Sequence, residues 1–299
     1  MSILSLTIGE NQAGRRVLDL LKRELGLSTV CINRLKRTET GLTVNGQRVF
    51  TNAVVSLGDT LAVDLGSIRE ESAVSPIPME LDILYEDEHL LVLNKPAPLA
   101  VIPSSLSPEE PTLANGLAHY LGPGFAFHPV NRLDRGTTGL MVVAKSGYIH
   151  DRLRRALHSG AFFRRYLALC LGHPRPDCGT IDLPIGRAPG SAIKRQVDPA
   201  GQAACSDYRT LERIGRFSLM ELTPHTGRTH QLRVHMASIG HPLAGDWLYG
   251  TEDRALIPRP ALHASELTLT HPISGEQLHL TAPLPADMIK VLEHERWLN

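Results

Sequence analysis

In the stretch HPVNRLDRGTTGLMVVAKS, residues 128–146, one carboxylate, Asp134, stands between Arg132 and Arg135 just ahead of an apolar run. An aspartate followed by Arg-Gly-Thr-Thr-Gly can simply close a turn, because its side chain bonds nearby backbone N–H groups. The two arginines alter that expectation, since positive charge close by favours the ionised carboxylate even in a dry cleft. A carboxylate kept charged away from water can serve as a nucleophile or a general base. Tyr166, in RRYLALCLG, offers either a flat aromatic platform or an ordinary strand residue of a core. Arg233, in GRTHQLRVHMASIG, is either a solvated surface charge or a planar guanidinium placed for a two-toothed grip on the carboxylate.

Other chemistries find less support. His230 and His235 are five residues apart, whereas ligands on one helix face stand three or four apart, so no metal site is expected. The run Gly136-Thr137-Thr138-Gly139 lacks a Walker lysine, which argues against nucleotide hydrolysis. Cys31, Cys170, Cys178 and Cys205 form no C-x-x-C pair and read as free thiols of a reducing compartment.

The chain has 299 residues, 42% hydrophobic and 21% charged, with 31 basic and 31 acidic side chains, which excludes a wholly basic nucleic-acid binder. The charge is nevertheless clustered. Arg152, Arg154 and Arg155 lead to Arg164 and Arg165, and a second set comprises Arg15, Arg16, Arg34, Lys36 and Arg37. Charge runs are usually solvated faces, but two of them in a net-neutral chain suit a groove that tracks a phosphate backbone. The opening MSILSLTIGEN has no basic start and too short an apolar run for a signal or span, so a cytoplasmic protein without membrane contact is expected. No sustained heptad or apolar stripe suggests assembly, and a monomer is expected.

The elements that must position these groups follow from periodicity. Residues 14–25 place Val17, Leu18, Leu21 and Leu25 on one helical face. Beyond Arg34, Lys36 and Arg37, the Asn45-Gly46 pair signals a hairpin, and SLGDTLAVDL supplies a turn and a strand. This small α/β module occupies residues 1–66, and a polar segment with two prolines, 67–78, reads as a linker. In 79–299, strands flank the acidic turn Glu86-Asp87-Glu88, GLMVVAK reads as a buried strand, and a helix follows from Tyr148 to Ser159. Strands are expected in FRRYLALCLG, ACSDYRTLERI, RFSLMELTP, LHASELTLTHP and QLHLTAPLP. A helix capped by Thr226 and stopped at Gly240 carries Arg233, and a closing helix has Asp287 in its first turn and Met288, Val291 and Leu292 on its apolar face. Many strands and few helices, without strict alternation, give an α+β fold with a large mixed or antiparallel sheet and peripheral helices.

Taken together, NRLDRGTTGLMVVAKS, RRYLALCLG and TGRTHQLRVHMASIGHPLAGDWLYG resemble the RluA family of ribosomal- and transfer-RNA pseudouridine synthases, and ILYEDEHLLVLNKPAPLAVIPS resembles that family's first motif. The N-terminal module more loosely resembles an S4-like RNA-binding domain. The resemblance implies a pseudouridine synthase fold and an isomerase that detaches uracil from ribose, turns it and rejoins it through carbon 5. It makes Asp134 the catalytic residue, Tyr166 a contact to the target uridine with a part in proton handling, and Arg233 the partner of the catalytic carboxylate. Arg132 is implied to help extrude the nucleotide, and Asn131, Leu133, Arg228, His230, Arg164 and Arg165 to complete the substrate contacts. Arg15, Arg16, Arg34, Lys36 and Arg37 become RNA contacts of the N-terminal module. No cofactor and no metal are implied, and the partner is RNA, either 23S ribosomal RNA or transfer RNA. Whether the carboxylate attacks ribose carbon 1 or uracil carbon 6 stays open. An enzyme working on both faces of a base must lift it from its stack, which agrees with an aromatic platform beside a carboxylate. A reading of another class is a non-catalytic RNA-binding or ribosome-assembly factor on the same fold. The chain departs from common family patterns at Asn131, where histidine is frequent, at Pro98, where glycine is frequent, and at Ser206, where threonine is frequent.

Overall fold

The structure is a computed structural model, and it describes residues 3–67, 74–104, 107–123 and 127–297. Of the expected linker, 68–73 lie outside the described residues, while Ile77 N donates to Asn115 O at 3.1 Å, so the end of the segment runs along the larger part of the chain.

The N-terminal unit comprises β1 (Ile3–Thr7), α1 (Val17–Arg23), α2 (Thr29–Leu35), β2 (Leu42–Val44), β3 (Gln47–Arg48) and β4 (Thr60–Asp64), its strands antiparallel in the order β1-β4-β2-β3. Asn45 and Gly46 join β2 to β3 with φ of 51° and 79°, the pair of positive values that a two-residue hairpin needs. The first helix is shorter than its apolar period suggests: Arg16 is the extended N-cap and Arg15 precedes it.

The remaining elements are β5 (Ile83–Glu86), β6 (Leu90–Lys95), α3 (Leu113–Leu121), β7 (His128–Pro129), β8 (Thr138–Ala144), α4 (Gly147–Ser159), β9 (Phe162–Leu171) and β10 (Cys178–Asp182). They continue with β11 (Ile185–Arg187), β12 (Arg195–Val197), β13 (Cys205–Ile214), β14 (Phe217–Pro224), α5 (Gln231–Ser238), β15 (Leu262–Thr270), β16 (Gln277–Thr281) and α6 (Ala286–Trp297). Ten of these strands form one sheet, ordered β10-β13-β14-β9-β15-β8-β6-β5, with β16 beside β15 and β7 beside β8. The β8–β15 pair is parallel and its neighbours are antiparallel, which makes the sheet mixed.

Period-two alternation divides the core. On β6 and β8, Leu91, Leu93, Met141 and Val143 face Leu133, Tyr166, Leu232 and Met236. Leu90, Val92, Leu140, Val142 and Ala144 face the other way, onto Tyr148, Ile149 and Leu153 of α4. That second cluster does not stop at the ten-stranded sheet: Val17, Leu20, Leu21, Ile32 and Leu35 of the N-terminal unit belong to it. Polar contacts reinforce the seat. Tyr148 Oη donates to Leu25 O at 3.1 Å, and Arg155 Nη2 donates to Gly26 O at 2.9 Å.

The helix expected to begin at Thr226 starts at Gln231, with His230 as its N-cap in left-handed backbone, φ 59°. Thr226 does not cap it. Its hydroxyl donates instead to Gln231 Oε1 at 2.7 Å, and the same oxygen accepts Arg228 N at 2.9 Å, so the Gly-Arg-Thr-His stretch folds into a turn closed by one glutamine.

Gly139 sets how closely β8 meets β15. It lies opposite Ala264 with φ 108°, and a Cβ there would stand 2.2 Å from Ala264 O. Gly139→Ala therefore combines a backbone conformation that L residues avoid with a clash against backbone, and is expected to cost about 3 kcal/mol or more of unfolding free energy. Chemical denaturation measures this, and a loss under about 1 kcal/mol would contradict the packing described.

Candidate active site

Asp134 lies between β7 and β8 in a loop fixed through its backbone. Thr137 N donates to Asp134 O at 3.0 Å, so the turn expected from Asp-x-Gly does form, and the side chain remains available. Two buried basic side chains hold the next two carbonyls. Lys95, wholly buried at the end of β6, donates from Nζ to Pro96 O and Leu99 O at 2.8 Å and reaches Arg135 O at 3.5 Å. Arg259 donates from Nη1 to Gly136 O at 3.2 Å, while Nε and Nη2 grip Asp287 at 2.6 and 2.7 Å.

The arginines that flank Asp134 in sequence do not steady it. Arg135 turns outward to Glu110, 2.9 Å away, and Arg132 is exposed at the rim of the cleft. Successive side chains of a turn diverge, and the partner comes from α5 instead. Arg233 Nη1 lies 3.5 Å from Asp134 Oδ2. The two-toothed grip expected for this pair belongs to another carboxylate: Arg233 Nε and Nη2 meet Asp246 Oδ2 and Oδ1 at 2.7 and 2.8 Å. Asp246 is fully buried and needs complete pairing, which two further donors, Leu248 N and Tyr249 N at 3.1 and 3.3 Å, help supply. Burial disfavours the guanidinium charge, but the bonds and charge of Asp246, with Asp134 behind it, raise the pKa of Arg233 above its ordinary value. The same guanidinium lies 5.0 Å from the Tyr249 ring centre.

His230 approaches Asp134 from the turn before α5, with Nε2 at 3.9 Å from Oδ2 and Nδ1 at 2.8 Å from Tyr249 Oη. Burial pushes its imidazole pKa down, against the pull of Asp134. Tyr166 on β9 is 5% exposed, and burial pushes its phenol up. These groups line a cleft of about 920 Å³, within the usual range of small-molecule sites and roomy enough for a nucleotide.

The other expected contacts separate into those at the cleft and those committed elsewhere. Arg164 and Arg228 line it, bonded to Pro224 O and Ala203 O at 3.4 and 2.9 Å. Arg165 does not; it ion-pairs with Glu221 and Glu266 at 3.1 and 2.5 Å. Asn131 borders the cleft, but its amide is stitched to β8, accepting Val142 N at 2.8 Å and donating to Leu140 O at 3.2 Å. Leu133 likewise borders the cleft while its side chain belongs to the core. Of the α4 arginines, Arg154 reaches the cleft, Arg155 secures the N-terminal unit, and Arg152 donates to Tyr148 Oη at 2.6 Å. In the N-terminal unit Arg15 pairs with Glu24 at 2.8 Å, whereas Arg16, Arg34, Lys36 and Arg37 are exposed. Arg34 lines a second cleft of about 480 Å³ between α2 and the start of α4, and His150 borders both clefts.

A family model described as RNA pseudouridylate synthase matches residues 89–238, the span that carries Asp134, Tyr166 and Arg233. The chain is an RNA pseudouridine synthase of the RluA family. It is 41% identical over 275 residues to the uncharacterized RNA pseudouridine synthase YjbO of Bacillus subtilis (strain 168), covering 91% of this chain and 96% of that one. It is 38% identical over 314 residues to ribosomal large subunit pseudouridine synthase D of Escherichia coli (strain K12), covering 97% and 93%. Among solved structures, human RNA pseudouridylate synthase domain containing 4 superposes with a TM-score of 0.57 at 27% identity, covering 72% of this chain and 93% of that chain. The synthase is therefore an isomerase, and among its described residues no helix is long and apolar enough to cross a membrane.

Lys95, Asp246, Tyr249 and Arg259 were not singled out from the sequence of the synthase. A lysine closing the apolar run LLVLNK was the available signal for Lys95, since a charge on a buried strand must find partners. Burial lowers the Lys95 pKa from the ordinary 10.5 to about 7. Between those values the unfolded chain holds the proton that the folded chain has lost, so stability contributed at this site rises with pH from about 7 to about 10.5. Comparing denaturation of the synthase and Lys95→Met across that range should show a steeper rise for the parent, by at most about 1.4 kcal/mol per pH unit. Parallel curves would overturn the assignment.

Proposed function

We propose that the synthase converts uridine to pseudouridine in ribosomal RNA, with Asp134 as its catalytic carboxylate acting on a nucleotide turned out of its helix. The observation that carries this reading is a half-buried carboxylate in a nucleotide-sized cleft, with Arg233 on one oxygen and Tyr166 lining the same space. The RNA class is taken from the E. coli relative, whose name specifies the ribosomal large subunit. In the reaction the bond between uracil nitrogen 1 and ribose carbon 1 breaks, a bond from uracil carbon 5 to ribose carbon 1 forms, the hydrogen on carbon 5 leaves to solvent, and nitrogen 1 takes up a proton in its place. Asp134 supplies the oxygen that drives the first step, and Arg233 orients it. Tyr166 gives the freed base an aromatic surface on which to turn, and Arg132 at the rim fills the place the nucleotide vacates.

The proposed organisation assigns residues 1–66 to an S4-like RNA-binding unit, 67–78 to a connection and 79–299 to catalysis. Exposed Arg16, Arg34, Lys36 and Arg37 on the first, with Arg154, Arg164 and Arg228 on the last, offer contacts to phosphate that place the RNA without reading its sequence.

Ribosomal RNA transcribed with tritium at uridine carbon 5 tests the reading through label release to water. Asp134→Asn should lower release by on the order of 10³-fold or more while RNA binding survives. Release by the parent from transfer RNA alone would overturn the RNA class, and undiminished release by Asp134→Asn would overturn the catalytic role.

A further inference from the structure

The shortest approaches of Arg233 and His230 to Asp134 end on the same oxygen, Oδ2, at 3.5 and 3.9 Å. His230 is held there in an uncommon way. Among the described residues it and Asn45 are the non-glycine residues with positive φ, and Asn45 serves a hairpin turn. A histidine in left-handed backbone is strained, and such strain persists where surrounding contacts over-determine it.

Those contacts run through Tyr249. Its hydroxyl accepts Arg195 N at 2.8 Å and lies 2.8 Å from His230 Nδ1. A phenol has one hydrogen to give, and an oxygen that already accepts the Arg195 N–H is best satisfied by directing that hydrogen to Nδ1. In that tautomer Nδ1 is the unprotonated nitrogen, and Nε2 carries the hydrogen and faces the carboxylate. The depressed imidazole pKa agrees with this neutral form. Arg195 begins β12, which pairs with β11 as a hairpin bearing Arg187, Lys194 and Arg195. The hairpin is anchored on the same group: Ile185 and Val197 share an apolar cluster with Val234 of α5 and with Tyr249.

We propose that His230 is a positioning residue: locked by Tyr249 with its hydrogen on Nε2, it stands 3.9 Å from Oδ2 of Asp134 and closes to a hydrogen bond on that oxygen, beside Arg233, when substrate is bound, leaving Oδ1 to react. Tyr249 makes that hold depend on the seating of the β11–β12 hairpin, whose Arg195 N–H it accepts. The proposal rests on the reading of Asp134 as the catalytic carboxylate, and one arm of its test is independent of turnover.

That arm is nitrogen-15 NMR of the full chain labelled at histidine, with His230 assigned from the spectrum of His230→Gln. The parent should show a protonated Nε2 and a bare Nδ1, and Tyr249→Phe, which keeps the ring over Arg233, should show a mixture of tautomers. A protonated Nδ1 in the parent, or no change in Tyr249→Phe, would overturn the proposal. The second arm is single-turnover tritium release. His230→Ala should slow the chemical step by about tenfold to a hundredfold with RNA affinity changed by less than about twofold, the pattern of a misaimed group. His230→Gln, whose amide can donate in place of Nε2–H, should recover part of that loss. An unchanged rate, or a loss confined to RNA affinity, would mark His230 as a plain structural or substrate contact. Absence of release by the parent itself would defeat the reading of Asp134, whereas the nitrogen spectrum would still decide the state of His230.

Discussion

One guanidinium is divided between two carboxylates of unequal burial, and the geometry of the site follows from that division. Asp246 is sealed in protein and takes two nitrogens of Arg233, while Asp134 faces the cleft and has the third at 3.5 Å. Desolvating an ion pair is costly, and the cost is offset only where geometry is good and the remaining lone pairs are filled, as the backbone donors to Asp246 do. Because Asp246 already neutralises most of the arginine, Asp134 is steadied without being saturated. An oxygen fully occupied by a tight bidentate partner would be a poorer nucleophile or base. The looser contact leaves it free to engage a nucleotide.

The loop bearing Asp134 is secured by a different device. Lys95 and Arg259 direct their donors at backbone carbonyls of residues 135 and 136, so the main chain is fixed from beneath while the carboxylate above it is left alone. Gly139 then lets β8 close on β15, which carries the loop toward β9 and Tyr166. Backbone clamps, a close strand crossing and a shared guanidinium together place one oxygen pair within a cleft assembled from residues more than a hundred positions apart in the chain.

Much of this was legible in advance. Local signals were reliable where the physics is local: the Asn45-Gly46 hairpin, the apolar run of β8, the buried face of α6 and the stop at Gly240 all formed where composition and periodicity placed them. The start of α5 was not, because Thr226 is a good cap by type, yet its hydroxyl is taken by Gln231, a tertiary choice that periodicity does not reveal. Sequence neighbours were also a poor guide to electrostatic partners. Arg135 stands next to Asp134 in the chain but binds Glu110, and Arg165 lies beside Arg164 but faces two glutamates rather than the cleft. Lys95, Asp246, Tyr249 and Arg259 act on backbone carbonyls or on distant side chains such as Arg233, His230 and Asp287, and their importance exists only once the fold has juxtaposed them.

The apolar core continues from α4 into α1 and α2, so the basic surface of the N-terminal unit stands at a set offset from Asp134. Under the proposed function, with RNA on both basic surfaces, such an arrangement works as a caliper. An RNA held at both jaws must present the segment gripped by the outer jaw at a matching separation from the uridine to be altered, and a strand with the right base but the wrong span would meet only half of the surface. Selection by distance needs no reading of neighbouring bases, and the rigidity for it comes from side chains buried between α1, α2 and α4.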